Sequence, residues 1–273
     1  MRNLIADLKE FSVYMAMIRA AVQSRMEYRG SFIMYLLTLV GFYGAQVAVI
    51  GLMLRRFHEI GGWTSGEIAF LYALLVFSQG LVAVFFSGML EFSPFVREGT
   101  FDRLLLRPLS PLLQILTMRF EPGGIANLIL GGADIAAANS FLDIQWSFLT
   151  VLMLLAVILG GALILAAIRI GVAAAAFFTV SNEGLQHLIV FSTREFLLYP
   201  VDIYSRPVRF LLTFILPIAF INFYPAHFFL NKSASGLFHP YFVYLTLPTG
   251  FLVMFVALKF WKYGVRMYSS TGS

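Results

Sequence analysis

The chain has 273 residues and a net charge of +5, and 60% of its residues are hydrophobic while only 12% are charged. Soluble domains are roughly 45–50% apolar and about 25% charged, and a soluble fold of this size has too little interior for so much apolar side chain. The composition therefore excludes an ordinary soluble domain and predicts an all-α, polytopic membrane protein. The absence of cysteine excludes disulfides, thiolate metal sites and cysteine nucleophiles.

Residues 1–31 are predicted to form an amphipathic helix. Apolar side chains recur there at spacings of three and four residues, which is the pattern of one helical stripe, and charged side chains lie off that stripe. The stripe consists of Leu4, Leu8, Phe11, Met15, Ile18, Val22 and Met26. We expect this helix to lie in the inner headgroup layer with its apolar face toward lipid. A packed helix of a small cytosolic domain is the alternative.

Five later stretches are apolar enough to be membrane spans. A helical span needs about 20 apolar residues to cross a hydrocarbon core of about 30 Å. The stretches are Phe32–Leu54, Ile68–Leu90, Gly123–Phe141, Phe148–Ile168 and Tyr241–Trp261. The third is the weakest of them because it contains Asp134.

Residues 182–230 admit two interpretations. Hydropathy alone makes Phe210–Leu230 the fifth span and leaves the preceding residues as a cytoplasmic amphipathic helix. The alternative makes Leu185–Ser205 the span and residues 206–230 an extracellular hairpin that dips into the outer leaflet. Three prolines in the hairpin stretch favour broken helices over one straight span.

Both interpretations give six crossings with both termini inside. On the second, twelve of the nineteen Lys and Arg residues lie on the inner side and five on the outer side. Basic residues accumulate in cytoplasmic loops, so this bias supports the orientation. It also explains the net positive charge without a nucleic-acid partner.

The loop after the second predicted span, residues 93–112, has the sequence SPFVREGTFDRLLLRPLSPL. Thr100 can cap a short helix there and Pro108 can end it. Such a helix would group three apolar side chains among charged ones, namely Phe101, Leu104 and Leu105. A short amphipathic helix of this kind is suited to a groove on a partner protein. A helix lying flat on anionic lipid is the alternative.

Catalytic and metal-binding motifs are not found in the sequence. There is no GxxxxGK[ST] phosphate loop, no HExxH, no GxSxG and no paired-carboxylate signature, and the four histidines are scattered. Ionisable residues at predicted membrane depth are Asp134, Arg194 and Glu195. Because a charge is costly there, such residues either line a transport path or pair inside the helix bundle.

The segment REGTFDRLLLRPLSPL, residues 97–112, resembles the cytoplasmic loop of ABC-2-type exporter permeases, and in particular a bacterial branch of them. Three further segments share the resemblance. They are SRMEYRGSF (Ser24–Phe32), YPVDIYSRPVRFLLTFILPIAFINFYPA (Tyr199–Ala226) and the tail YSSTGS (Tyr268–Ser273).

The resemblance implies a single transmembrane domain over residues 1–273, with six spans. Within it, residues 1–31 would be the interfacial helix, 93–112 a coupling loop seated in a separate ATPase, and 206–230 a re-entrant extracellular segment. The resemblance thus selects Leu185–Ser205 as the fifth span. By position, it implies that the ATPase faces Arg97, Glu98, Gly99, Thr100, Phe101, Asp102 and Arg103.

The resemblance also implies the partners and the location. ATP and Mg would bind in the ATPase partner and no cofactor in this chain, and a second permease subunit would complete a homodimer or heterodimer. The protein would lie in the bacterial plasma membrane, in contact with lipid, and would export its substrate. Two other hypotheses stay open: an ion-coupled secondary transporter, for which Asp134 is the main support, and a non-transporting membrane anchor or sensor subunit.

Overall fold

The computed structural model describes most of the chain. The described residues are 12–21, 23, 30, 33–35, 37–38, 41–42, 45, 59–140, 142, 144–179, 182–232 and 240–269. The predicted first span, Phe32–Leu54, and the start of the predicted amphipathic helix therefore lie largely outside the described residues.

Residues 12–21 are helical, in agreement with the predicted N-terminal helix. The Thr117 hydroxyl lies 3.8 Å from the Met17 sulfur, and Ile18 borders a small cavity shared with Leu116. Met15 is exposed on another side of this helix. The helix thus packs one side against the bundle and presents another outward.

A short β-hairpin marks one end of the bundle, called here the hairpin end. Its strands β1 (Glu59–Ile60) and β2 (Trp63–Thr64) pair antiparallel. Gly61 and Gly62 connect them with φ values of 59° and 80°, which glycine adopts without strain. Helix α1 (Ser65–Phe86) follows directly, and its N-terminus is closed by a capping box between Thr64 and Glu67.

The chain then reaches the opposite end of the bundle, called here the loop end. A 3₁₀ segment (Ser87–Glu91) and helix α2 (Phe92–Arg97) continue α1, so that Ser65–Arg97 forms one apolar stretch of 33 residues. Two short helices, α3 (Asp102–Leu105) and α4 (Pro111–Met118), complete this end.

Helix α5 (Gly123–Asn139) returns toward the hairpin end and packs against α1. Glycine permits the close approach, since a Cβ on Gly131 would lie 2.8 Å from the Cα of Phe77. Helix α6 (Phe148–Thr179) then runs back to the loop end over 32 residues.

The segment predicted as the fifth span begins with α7 (Glu183–Leu185), a π-helical stretch (Gln186–Phe191) and α8 (Ser192–Leu197). It ends earlier than predicted, because a 3₁₀ turn (Val201–Ile203) follows at the hairpin end.

Residues 206–229 form a bent pair of helical stretches. The first consists of α9 (Arg206–Phe210) and a π-helical stretch (Leu211–Ile215), and the second of a 3₁₀ turn (Ile218–Phe220) and α10 (Phe223–Phe229). The two stretches meet at 78°. Pro217 lies at the break, where it has no N–H to continue the helical hydrogen bonds.

A 3₁₀ segment (Pro240–Leu245) leads into the last helix, α11 (Thr246–Met267). Three described helical stretches are long and apolar enough to cross a membrane: Ser65–Arg97, Phe148–Thr179 and Tyr241–Met267. The bent pair would be a fourth if it were one span. Three of the predicted spans fall within these stretches, and the chain is an all-α, multi-pass membrane protein.

Candidate functional site

The loop at residues 93–112 turns sharply after α2. Gly99 has a φ of 67°, which lets the chain reverse, and its N–H donates to the Val96 carbonyl at 3.2 Å. The Thr100 hydroxyl bonds the Phe95 carbonyl at 3.5 Å, and α3 has no side-chain cap. The prediction that Thr100 caps the helix is therefore wrong, because its hydroxyl is used to close the turn. The helix does end before Pro108, as expected.

The predicted apolar patch of this loop is divided between two faces. Phe101 and Leu104 are buried, with 0% and 4% of their surfaces exposed, whereas Leu105 is 42% exposed. Leu106, which was not assigned to the patch, is 86% exposed. The expectation of one shared patch is wrong. Helix α3 is a single turn, and the side of it that carries Phe101 and Leu104 packs against the core. Leu105 and Leu106 form the outward apolar tip.

The seven residues predicted to face an ATPase have three kinds of environment. Arg97, Glu98 and Arg103 are exposed, and Phe101 is fully buried. The other three, Gly99, Thr100 and Asp102, are half-buried. The apolar tip is flanked by exposed Arg103 and Arg107.

Hydrogen bonds and an ion pair fix the loop to its neighbours. The Gln114 amide of α4 donates to the Leu104 carbonyl at 2.9 Å and to the Leu109 carbonyl at 3.1 Å. Arg97 pairs with Glu183 at 2.9 Å, although both side chains are about half exposed or more, so this pair adds little stability. The two hydrogen bonds from the Gln114 side chain hold the loop backbone as one unit with α4.

The predicted intramembrane residues are partly brought together. Arg194 of α8 and Asp134 of α5 both act electrostatically on the Tyr72 hydroxyl of α1. Arg194 also lies 5.8 Å from the ring centre of Phe42. Glu195, the next residue after Arg194, is exposed. Three helices thus contribute to one polar cluster around Tyr72, and Glu195 is not part of it.

Among the residues that the structure describes, no three His, Asp or Glu side chains converge on a position where a metal ion could be held.

The family model described as ABC-2 family transporter protein matches residues 40–272. This range covers most of the chain, including the loop at residues 93–112 and the bent pair. The chain belongs to the ABC-2 transporter family. No curated protein and no solved structure matches it significantly.

Membership of the ABC-2 family confirms the resemblance seen in the sequence. Permeases of this family are membrane components of ABC transporters, and they generally work with an ATPase subunit. The chain is thus a permease-type component of an ABC transporter.

Several contacts near the loop at residues 93–112 were not predicted from the sequence. Glu91 and Glu121 both pair with Arg119, the second at 3.3 Å, and the Tyr35 hydroxyl also binds Glu121. Glu91 and Arg119 are distant in sequence, as are Tyr35 and Glu121, and no local pattern connects either pair. Gln114 carried a usable signal, because a lone amide inside the apolar run of α4 needs buried partners.

Proposed function

We propose that this chain is the membrane-spanning permease subunit of an ATP-driven ABC exporter, coupled to a separate ATPase subunit. Family membership supports the transporter class. The observation that carries the coupling assignment is the exposed tip of Leu105 and Leu106 between Arg103 and Arg107. An apolar tip flanked by basic residues suits an apolar groove with an acidic rim on a protein partner.

In this proposal the chain crosses the membrane six times, with residues 1–31 in the inner interface and both termini in the cytoplasm of a bacterium. The loop end is then cytoplasmic and the hairpin end extracellular. The exposed basic residues of the last helix, Lys259, Lys262 and Arg266, are near its loop end, in keeping with this orientation.

The bent pair at residues 206–229 would be a re-entrant extracellular segment rather than a span. Its 78° bend supports this assignment. So do buried hydrogen bonds: the Asn222 amide donates to the Leu197 carbonyl at 2.8 Å and to the Leu71 carbonyl at 3.3 Å, and Thr213 bonds Tyr224 at 3.0 Å. Irregular backbone is tolerated at membrane depth only where protein groups satisfy it in this way.

The mechanism follows from these assignments. ATP and Mg bind in the ATPase partner, and closure of two ATPase subunits moves the loops of two permease subunits, either identical or related. The helix bundles rock against each other and open a path across the lipid bilayer. The polar cluster of Tyr72, Asp134 and Arg194 lies on three helices that would move relative to one another.

Co-purification tests the proposal. A tagged chain extracted from its native membrane should retain a protein that hydrolyses ATP. Replacing Arg103, Leu105 and Arg107 together with alanine should reduce that retention by about tenfold or more, because the tip loses both its apolar contact and the basic residues that face the acidic rim. Retention is measured by quantitative immunoblot and by ATP hydrolysis of the eluate.

The control variant carries Lys259→Gln and Lys262→Gln, which remove exposed charges at the same end but outside the loop. It should retain the ATPase fully. A wild-type chain that brings no nucleotide hydrolase with it would contradict the function. Unchanged retention and coupling in the triple variant would contradict the assignment of the loop.

A further inference from the structure

Five aromatic side chains, three of them buried and two partly buried, form a cluster beneath the loop, called here the aromatic cluster. They are Phe92, Phe101, Phe177, Trp261 and Tyr268. They come from α2, the loop, α6, α11 and the residue after α11. The cluster therefore connects the loop to the loop ends of the two long helices α6 and α11.

Phe101 makes the contacts that link the loop to this cluster. Its ring centre lies 5.5 Å from that of Phe92, 5.2 Å from Phe177 and 5.0 Å from Tyr268, with the rings edge to face. Phe177 in turn lies 5.2 Å from Trp261. Each ring thus touches the next without a gap.

The cluster is closely packed against the backbone of α11. A Cβ on Gly264 would lie 2.5 Å from the Phe177 ring, so only glycine permits this approach. Phe92 and Phe101 are 0% exposed, and Trp261 is 3% exposed. Close-packed interiors have low compressibility and transmit displacement, which loosely packed side chains would absorb.

The loop therefore has two faces with different tasks. Leu105 and Leu106 point outward, while Phe101 points into the aromatic cluster, and Gln114 holds the backbone between them. We infer that Phe101 is a positioning residue that passes displacement of the loop to α6 and α11 through the aromatic cluster. This inference rests on the proposed function, because the displacement comes from the ATPase partner.

The arrangement also gives leverage. Phe177 lies near the loop end of α6, which is about 48 Å long at 1.5 Å per residue. A small rotation of α6 at the aromatic cluster therefore becomes a larger displacement at the hairpin end.

The test uses the complex of the full chain with its co-purified ATPase, reconstituted in lipid nanodiscs. Spin labels on Glu59→Cys and Leu149→Cys, both exposed at the hairpin end, report the distance between the hairpin and α6. The distance is measured with and without ATP plus vanadate. In an otherwise unchanged chain, nucleotide should shift this distance.

Phe101→Ala should retain the ATPase yet lose the nucleotide-dependent shift, and the more conservative Phe101→Leu should restore part of it. The matched control is Phe178→Ala, which removes the neighbouring aromatic ring of α6. Phe178 is 46% exposed and stacks on Phe260 and Tyr263 outside the aromatic cluster. This control should keep the full shift.

The outcomes separate the two claims. If the unchanged chain retains no ATPase, the proposed function fails and the inference fails with it. If the ATPase is retained and Phe101→Ala keeps the full shift, the inference alone is overturned. Loss of ATPase retention in both Phe101 variants would also overturn it, because Phe101 would then act in docking.

Discussion

Trp63 connects the hairpin to two distant parts of the chain. Its indole N–H donates to the Asp202 carboxylate at 3.0 Å, and its ring lies 4.6 Å from the Lys232 ammonium and 5.0 Å from the His227 ring. Lys232 also pairs with Glu67 at 2.7 Å, with both side chains mostly buried. The turn before the bent pair and Lys232, three residues after it, are thus both attached to the hairpin and the start of α1.

Trp63→Phe should destabilise the protein by about 1.5–3 kcal/mol, because the Asp202 carboxylate loses a hydrogen-bond donor in a partly buried position. The free energy of unfolding is measured by denaturant titration in detergent. Trp146→Phe is the matched control, since Trp146 is 36% exposed and donates to Asn139 at 2.7 Å on the surface. It should cost less than about 1 kcal/mol. Equal losses in the two variants would contradict the importance of the Trp63 contacts.

For single residues of the loop, the exposure of charged side chains could be predicted from the sequence, whereas the burial of an aromatic one could not. Arg97, Glu98 and Arg103 are exposed because charged side chains in a loop are costly to bury. The burial of Phe101 could not be predicted, since Phe177 and Trp261 reach it only through the packing of α6 against α11.

The crossing of α6 and α11 is the largest helix contact in the described part of the chain. Gly160 and Gly250 face each other there. A Cβ on Gly160 would lie 2.9 Å from the backbone of Thr246, and one on Gly250 would lie 2.8 Å from the Gly160 carbonyl oxygen. Small residues of this kind let membrane helices approach closely.

Gly160→Ala should therefore separate the helices and cost about 1–3 kcal/mol, as overpacked substitutions do. Gly171→Ala on the same helix is the control, because a Cβ there meets nothing within 4 Å. It should cause no loss of stability. Thermal unfolding of the two purified variants distinguishes them, and a Gly160→Ala variant as stable as Gly171→Ala would contradict the close packing.

Among the elements, the long apolar helices were predictable and the irregular ones were not. Ile68–Leu90 and Tyr241–Trp261 fall within observed helices because about 20 apolar residues need a helix in lipid. The prolines of residues 206–230 correctly indicated broken helices. The π-helical stretches Gln186–Phe191 and Leu211–Ile215 carry no comparable local signal, since tertiary contacts decide such irregularities.

For the whole molecule, the proposed orientation places Ser205 outside and Ser269 inside. Both serines are exposed, and the chain has no cysteine, so Ser205→Cys and Ser269→Cys each provide a single thiol. In right-side-out vesicles an impermeant thiol reagent should modify only the first. Permeabilised vesicles should allow both to react. Reaction at Ser205→Cys only after permeabilisation would favour residues 210–230 as the fifth span.

Composition and charge predicted a membrane protein, because every span in lipid must be apolar and contain few charges. The partner, the subunit number and the cargo depend on surfaces between chains, and one sequence contains only half of each such surface. The loop at residues 93–112 was found because its apolar and charged residues follow the spacing of a short amphipathic helix, but which of its leucines are exposed could not be predicted from that spacing.

The positions of the three tryptophans have a practical consequence. Trp63 is buried at the hairpin end, Trp261 is buried at the loop end, and Trp146 is the most exposed of the three. Tryptophan fluorescence consequently reports on both ends of the bundle. A water-soluble quencher would quench the emission of Trp146 first. The two remaining emitters would then report, without any attached dye, whether the opposite extremities respond to nucleotide together or in succession.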